Sequence, residues 1–118
     1  QKKKGIKTLG DLCSDFGGNV KFILGTKKKY KKKFDTNALK TNIYNKSIEQ
    51  NVKGNTNTVY KNPLNALLFI LKKIKKNKIL LNKNFYVFTG STVGVVPVSK
   101  GVYDGKIDKL GSVKVKII

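Results

Sequence analysis

Every one of the 26 basic side chains in this sequence is a lysine, and only 6 acidic residues oppose them, for a formal net charge of +20. Spread over 118 residues, so much like charge repels itself on compaction, so the expected fold is one that a polyanion completes. For a small soluble domain, a net charge of about 2–8 is the design target. A chain of this length buries roughly two-thirds of its unfolded surface, enough for one modest core. The expectation is therefore a single domain over residues 1–118 with a polyanionic partner. Lysine supplies point charges rather than the bidentate forks of arginine, which favours phosphate contact over reading of guanine edges.

Composition removes most catalytic chemistry. There is no histidine and one cysteine, Cys13, so neither a histidine-based triad nor a Cys–His zinc site can be built. Glu49 is the single glutamate, which leaves paired-carboxylate chemistry to scattered aspartates. No enzyme activity, small-molecule substrate, cofactor or metal is expected. Asp104 and Asp108 are read as tempering nearby lysines. The longest apolar stretch, Leu64 to Leu71, is interrupted by Asn65 and followed by lysines, so no membrane span is expected. Lysine and asparagine make up about a third of the chain, with Ile, Phe and Tyr also common. Their codons are rich in A and T, which points to an organelle or an AT-rich organism. Residue 1 is Gln, so the initiator is missing and the position of the true N-terminus stays open.

Along the chain, Lys2, Lys3 and Lys4 open a basic arm over residues 1–5. Residues 6–24 read as a hairpin: Asp15-Phe16-Gly17-Gly18-Asn19 supplies the turn, and Val20, Phe22 and Leu24 alternate with Lys21. Lys27, Lys28, Lys29, Tyr30, Lys31, Lys32 and Lys33 follow, a run that no buried face could hold. Its lysines suit phosphates and Tyr30 suits a base, although nuclear-targeting runs and plain solvated runs share the composition. Residues 26–61 together read as a basic loop and an extended insertion on a partner surface, the stretch from 35 having no firm period.

Asn62-Pro63 opens the clearest element, since Asn caps a helix and Pro suits its first position. Leu64, Leu67, Leu68, Leu71 and Ile74 form an apolar stripe for packing on a sheet. Lys72, Lys73, Lys75 and Lys76 crowd the helix end, where positive charge suits the dipole. Residues 85–89 read as a strand ended by Gly90, residues 93–98 as an edge strand, residues 102–110 as a possible second short helix, and residues 113–117 as a final strand. The fold class is thus α/β: a mixed β-sheet with one main amphipathic helix.

This order, with Ser14-Asp15-Phe16-Gly17-Gly18-Asn19-Val20-Lys21-Phe22, Asn62-Pro63-Leu64-Asn65-Ala66 and Val87-Phe88-Thr89-Gly90 running to Gly94, resembles the universal small-subunit ribosomal protein family eleven. Val95-Val96-Pro97-Val98-Ser99-Lys100-Gly101-Val102 is locally similar to the end of small-subunit family eight, whose Ser-Lys-Gly loop contacts ribosomal RNA. That likeness adds Ser99 and Lys100 to the candidate contacts. Large-subunit family eighteen shares the layout and looks like Tyr103-Asp104-Gly105-Lys106-Ile107. The resemblance implies a divergent organellar ribosomal protein, in the mitochondrial matrix, touching ribosomal RNA and neighbouring ribosomal proteins. A free nucleic-acid-binding or packaging protein is the alternative, and a cationic membrane-active protein fits the charge layout less well.

The charge imbalance leads to a first prediction. The isolated chain should give a weak, broad thermal transition by circular dichroism, and added RNA should sharpen it. A cooperative transition without RNA would contradict this.

Overall fold

The computed structural model describes residues 21–82 and 84–118. Its centre is a four-stranded sheet in which every neighbouring pair is antiparallel. The strands are β1 (Lys40–Asn45), β2 (Gln50–Asn55), β3 (Gly101–Ile107) and β4 (Gly111–Ile117), in spatial order β2-β1-β3-β4. A single helix, α1 (Pro63–Lys76), lies between the two hairpins in sequence. The α/β class with one main helix therefore stands.

Each hairpin closes through a left-handed residue. Between β1 and β2 the chain makes one 3₁₀ turn, Lys46–Ile48, and Glu49 leaves it at φ 49°. Between β3 and β4, the Leu110 N–H donates to the Ile107 carbonyl at 3.1 Å, with Lys109 at φ 63° and Gly111 at φ 124°. The first hairpin lies within residues 35–61, expected as an insertion without a core of its own, and its β1 is a central strand. Period two is present there, but the inward positions of β1 and β2 are Thr41, Ile43, Asn45, Gln50, Val52 and Gly54. Only two of these are strongly apolar, so the alternation does not stand out.

The hairpins join at Asn45, which is fully buried. Its Oδ1 accepts from the Ser47 N–H at 3.0 Å, shaping the β1–β2 turn, and its Nδ2 donates to the Lys100 carbonyl at 3.4 Å. Gly101 then passes directly over it at φ 128°, a backbone conformation that suits glycine. A Cβ at 101 would lie 2.7 Å from Asn45 Oδ1.

Four expected elements take another form. Residues 21–24, the described part of the first expected hairpin, and residues 85–89 form no strand. They meet through side chains instead, with the Phe22 ring 5.1 Å from Phe88 and 5.9 Å from Tyr86. Residues 93–98 likewise do not join the sheet. Pro97 lacks a ladder donor, and the segment is used to cross β2: the Asn55 N–H donates to the Thr92 carbonyl at 3.2 Å. Residues 102–110 hold β3 and a turn, not a helix, since Gly101 and Gly105 weaken a helix and β4 offers an antiparallel partner. The final strand expected at 113–117 is the body of β4.

Helix α1 follows its sequence signals. Asn62 Oδ1 accepts from the Leu64 N–H at 3.0 Å and from Thr36 Oγ1 at 2.9 Å. Buried Thr56 links this cap to the sheet: its hydroxyl donates to the Thr36 carbonyl at 2.7 Å and accepts from the Leu39 N–H at 2.9 Å. Leu64, Leu67, Leu71 and Ile74 are partly covered and Ala66 is buried, whereas Leu68 faces outward. The helix has little direct contact with the strands and packs towards Tyr60 and Thr89 instead. The inward face of the sheet is already occupied by extended chain, Thr92 and Val93 over Gly54 and Gly25 against Val113.

The buried apolar core of the described residues is Leu39, Val59, Ala66 and Tyr103. Buried oxygens of Thr41, Asn42 and Gln50 have no hydrogen-bond partner there. Each such group costs about 1–3 kcal/mol, so a small core carries an added burden.

Of the described glycines, Gly54 is the most closely approached. Any Cβ at 54 would collide with the Thr92 carbonyl, the Val93 side chain and Thr41 Oγ1. Gly54→Ala should therefore destabilise the RNA-bound chain by about 2–4 kcal/mol, read from the midpoint of its thermal transition. A loss below roughly 0.5 kcal/mol would show that the crossing yields easily.

Candidate nucleic-acid interface

Lys2, Lys3 and Lys4 lie outside the described residues. The 27–33 run is exposed throughout and non-helical, with a turn closed by the Phe34 N–H donating to the Lys31 carbonyl at 2.8 Å. Tyr30 is more than half exposed within it. One end of the run is fastened to the sheet: Lys28 Nζ donates to the Lys109 carbonyl at 3.1 Å, on the β3–β4 turn. Ile23, Gly25, Thr26 and Lys28 border a depression of about 550 Å³ with Gly105 and Val113. The backbone here runs along the β3–β4 hairpin because Gly25 has no side chain, and an added Cβ would meet Val113 at 3.0 Å.

Lys72, Lys73, Lys75 and Lys76 project from the last turns of α1, all exposed. Lys73 Nζ sits 5.2 Å from the Phe69 ring centroid, a cation–π contact that holds one of the four in place. Ser99 and Lys100 are secured by backbone alone. The Ser99 N–H donates to the Tyr103 hydroxyl at 2.8 Å, and the Lys100 carbonyl accepts from Asn45. Both side chains remain exposed.

The structure adds a surface that the sequence reading did not assemble. Residues opposite one another in a sheet share a face. The register places Lys40, Asn42 and Tyr44 of β1 beside Asn55, Lys53 and Asn51 of β2. Lys106 and Asp104 of β3 flank Asn42 and Tyr44 on the other side, followed by Ser112, Lys114 and Lys116 of β4. The inward face carries Ile43, Val52, Tyr103, Ile107, Val113, Val115 and Ile117. One face thus gathers Lys40, Lys53, Lys106, Lys114 and Lys116 from four strands, with Asp104 as the one acidic residue among these positions.

Electrostatic compensation is slight. The one ion pair among the described residues joins Lys114 Nζ, well exposed, to Asp104, partly exposed, at 3.5 Å. Exposed pairs of this kind contribute at most about 1 kcal/mol. This is the tempering role expected for Asp104. Asp108 instead donates its backbone N–H to the Lys40 carbonyl at 3.0 Å. With Lys40, Lys53 and Lys106 it lines a depression of about 420 Å³. Lys28, Lys40, Lys106 and Lys109 therefore gather at the end of the sheet where β3 turns into β4.

The described residues contain no group of three or more His, Cys, Asp or Glu able to hold a metal. None of their helices is long and apolar enough to cross a membrane. Comparison with family models, with curated proteins and with solved structures returns no match to this chain.

A chain in which Lys27–Lys29 and Lys31–Lys33 are replaced by glutamine should bind RNA more weakly. Its log–log salt slope should flatten by up to about 5 on duplex RNA, if each lysine neutralises one phosphate as on DNA. A salt titration followed by fluorescence anisotropy checks this, and an unchanged slope would mean that the run is only solvated.

Proposed function

We propose that this chain is a structural constituent of the ribosome, in the small subunit of an organelle, most readily the mitochondrion. It holds folded ribosomal RNA by neutralising phosphates, without catalysis, and packs against neighbouring ribosomal proteins. The observation that carries the reading is unpaired positive charge on an ordered scaffold. Lysines of the 27–33 run, the helix end and the open sheet face are exposed, and one surface ion pair offsets them among the described residues.

Such a surface is repulsive alone and is stabilised by a polyanion. Engaging about 8 phosphates gives a salt slope of roughly −7 on duplex RNA by the duplex DNA coefficient. Lysine positions a backbone without reading groove edges, so specificity comes from RNA shape and unpaired bases. The ribosomal part of the proposal rests on the sequence resemblance. The phosphate-binding part rests on the charge layout, which a packaging protein would share.

The two part company in stoichiometry, because a ribosomal protein is present once per particle. Sedimentation of an organelle lysate through a sucrose gradient should place this chain with the small subunit, in equimolar amount, through moderate salt. A chain that stays at the top, or spreads along bulk nucleic acid in many copies, would overturn the ribosomal reading.

A further inference from the structure

We propose that the lysine-bearing face of the sheet is a platform for unpaired RNA, with a base stacked on Tyr44 and the adjoining phosphates held by Lys40, Lys53, Lys106 and Lys116. This rests on the RNA-binding reading above and narrows it to one face and one form of the nucleic acid.

The first support is placement. β1 is an inner strand, flanked by β2 and β3, so Tyr44 stands in the interior of the face and not at its edge. An aromatic on a central strand ordinarily finds cover, yet Tyr44 is 38% exposed. Its direct cross-strand neighbours are Asn51 and Asp104, both short and polar. The ring–ring contacts among the described residues involve Phe22, Tyr60, Phe69, Tyr86 and Phe88, and none reaches Tyr44.

Charge is the second support. Lys114 is matched by Asp104 at 3.5 Å, and the other four lysines of the face have no carboxylate partner among the described residues. Lys53 and Lys106 stand on the two strands beside β1, both opposite Asn42, one step along from Tyr44. Neighbouring strands lie about 4.8 Å apart, so Lys53 and Lys106 stand about 10 Å apart across Asn42 on one side of Tyr44, and Lys116, opposite Val102, lies beyond Tyr44 on the other. A ring between point charges is the arrangement that binds single strands without sequence preference.

The form of the ligand follows from the ring. An A-form duplex keeps its bases stacked internally and would offer this face only phosphates and 2′-hydroxyls, leaving Tyr44 without a role. An acidic protein segment would satisfy the lysines and likewise ignore the ring. An unpaired stretch uses both.

The test uses the full chain, a labelled oligouridylate, a duplex RNA of equal charge and polyglutamate as competitor. Tyr44→Leu should weaken oligouridylate binding roughly tenfold and leave duplex binding unchanged, whereas Tyr44→Phe should stay within about twofold of the parent. Replacing Lys53 and Lys106 together by Gln should reduce the single-strand salt slope by about 1.4. The platform is overturned if Tyr44→Leu leaves oligouridylate affinity unchanged while the parent still binds RNA, in which case the ribosomal reading survives it. It is also overturned if Tyr44→Leu weakens single strand and duplex alike while its circular dichroism spectrum stays that of the parent, since the ring then does not distinguish an unpaired base. A parent chain that prefers polyglutamate to either RNA overturns both readings together.

Discussion

Asn45 is the joint on which the two hairpins are assembled. Its carbonyl oxygen shapes the turn out of β1, its amide reaches the backbone entering β3, and Gly101 passes close above it. Burying an amide is costly unless it is hydrogen-bonded, and here the bonds made are also the ones that align β1 with β3. A residue of similar size without the amide would fill the space but lose both connections. The register that follows decides which side chains share a face, so the two-faced character of the whole sheet descends from this contact.

The sheet separates two tasks that the composition sets against each other. Apolar side chains face inward, where extended chain from either side of the helix lies over them, while lysines from all four strands face out. The arrangement concentrates repulsion on one surface instead of distributing it through a small core. It also explains why α1 is displaced from the strands. The segments around Gly25 and Thr92 take the position a covering helix would hold, and α1 is tethered through Thr36, Thr56 and the Asn62 cap.

How much of this was legible in the sequence depended on how local the signal is. The helix was readable because Asn62, Pro63 and the leucine spacing are local, and the last strand because Val113, Val115 and Ile117 alternate with lysines. The first hairpin was not, because Thr41, Asn45, Gln50 and Gly54 occupy inward positions where apolar residues would have advertised a strand. Conversely, Phe22 and Phe85–Phe88 have strand-like composition but spend it on ring contacts with each other. For the candidate site, the 27–33 run was evident as an uninterrupted block of charge. The lysines of the open face were not, since Lys40, Lys53, Lys106 and Lys116 are distant in sequence and meet only through register.

The outermost strands of the sheet, β2 and β4, both carry lysines on the open face, at Lys53, Lys114 and Lys116. An edge strand is a template for a further strand, and like charge along it discourages one copy of the chain from extending the sheet of another. That safeguard operates only while the charge stays uncompensated. A polyanion that satisfies the lysines also lifts the barrier between edges, so order of arrival matters. A chain laid singly on a structured RNA keeps its edges apart by geometry, whereas chains crowded on a loose polymer would be neutralised side by side and left free to pair.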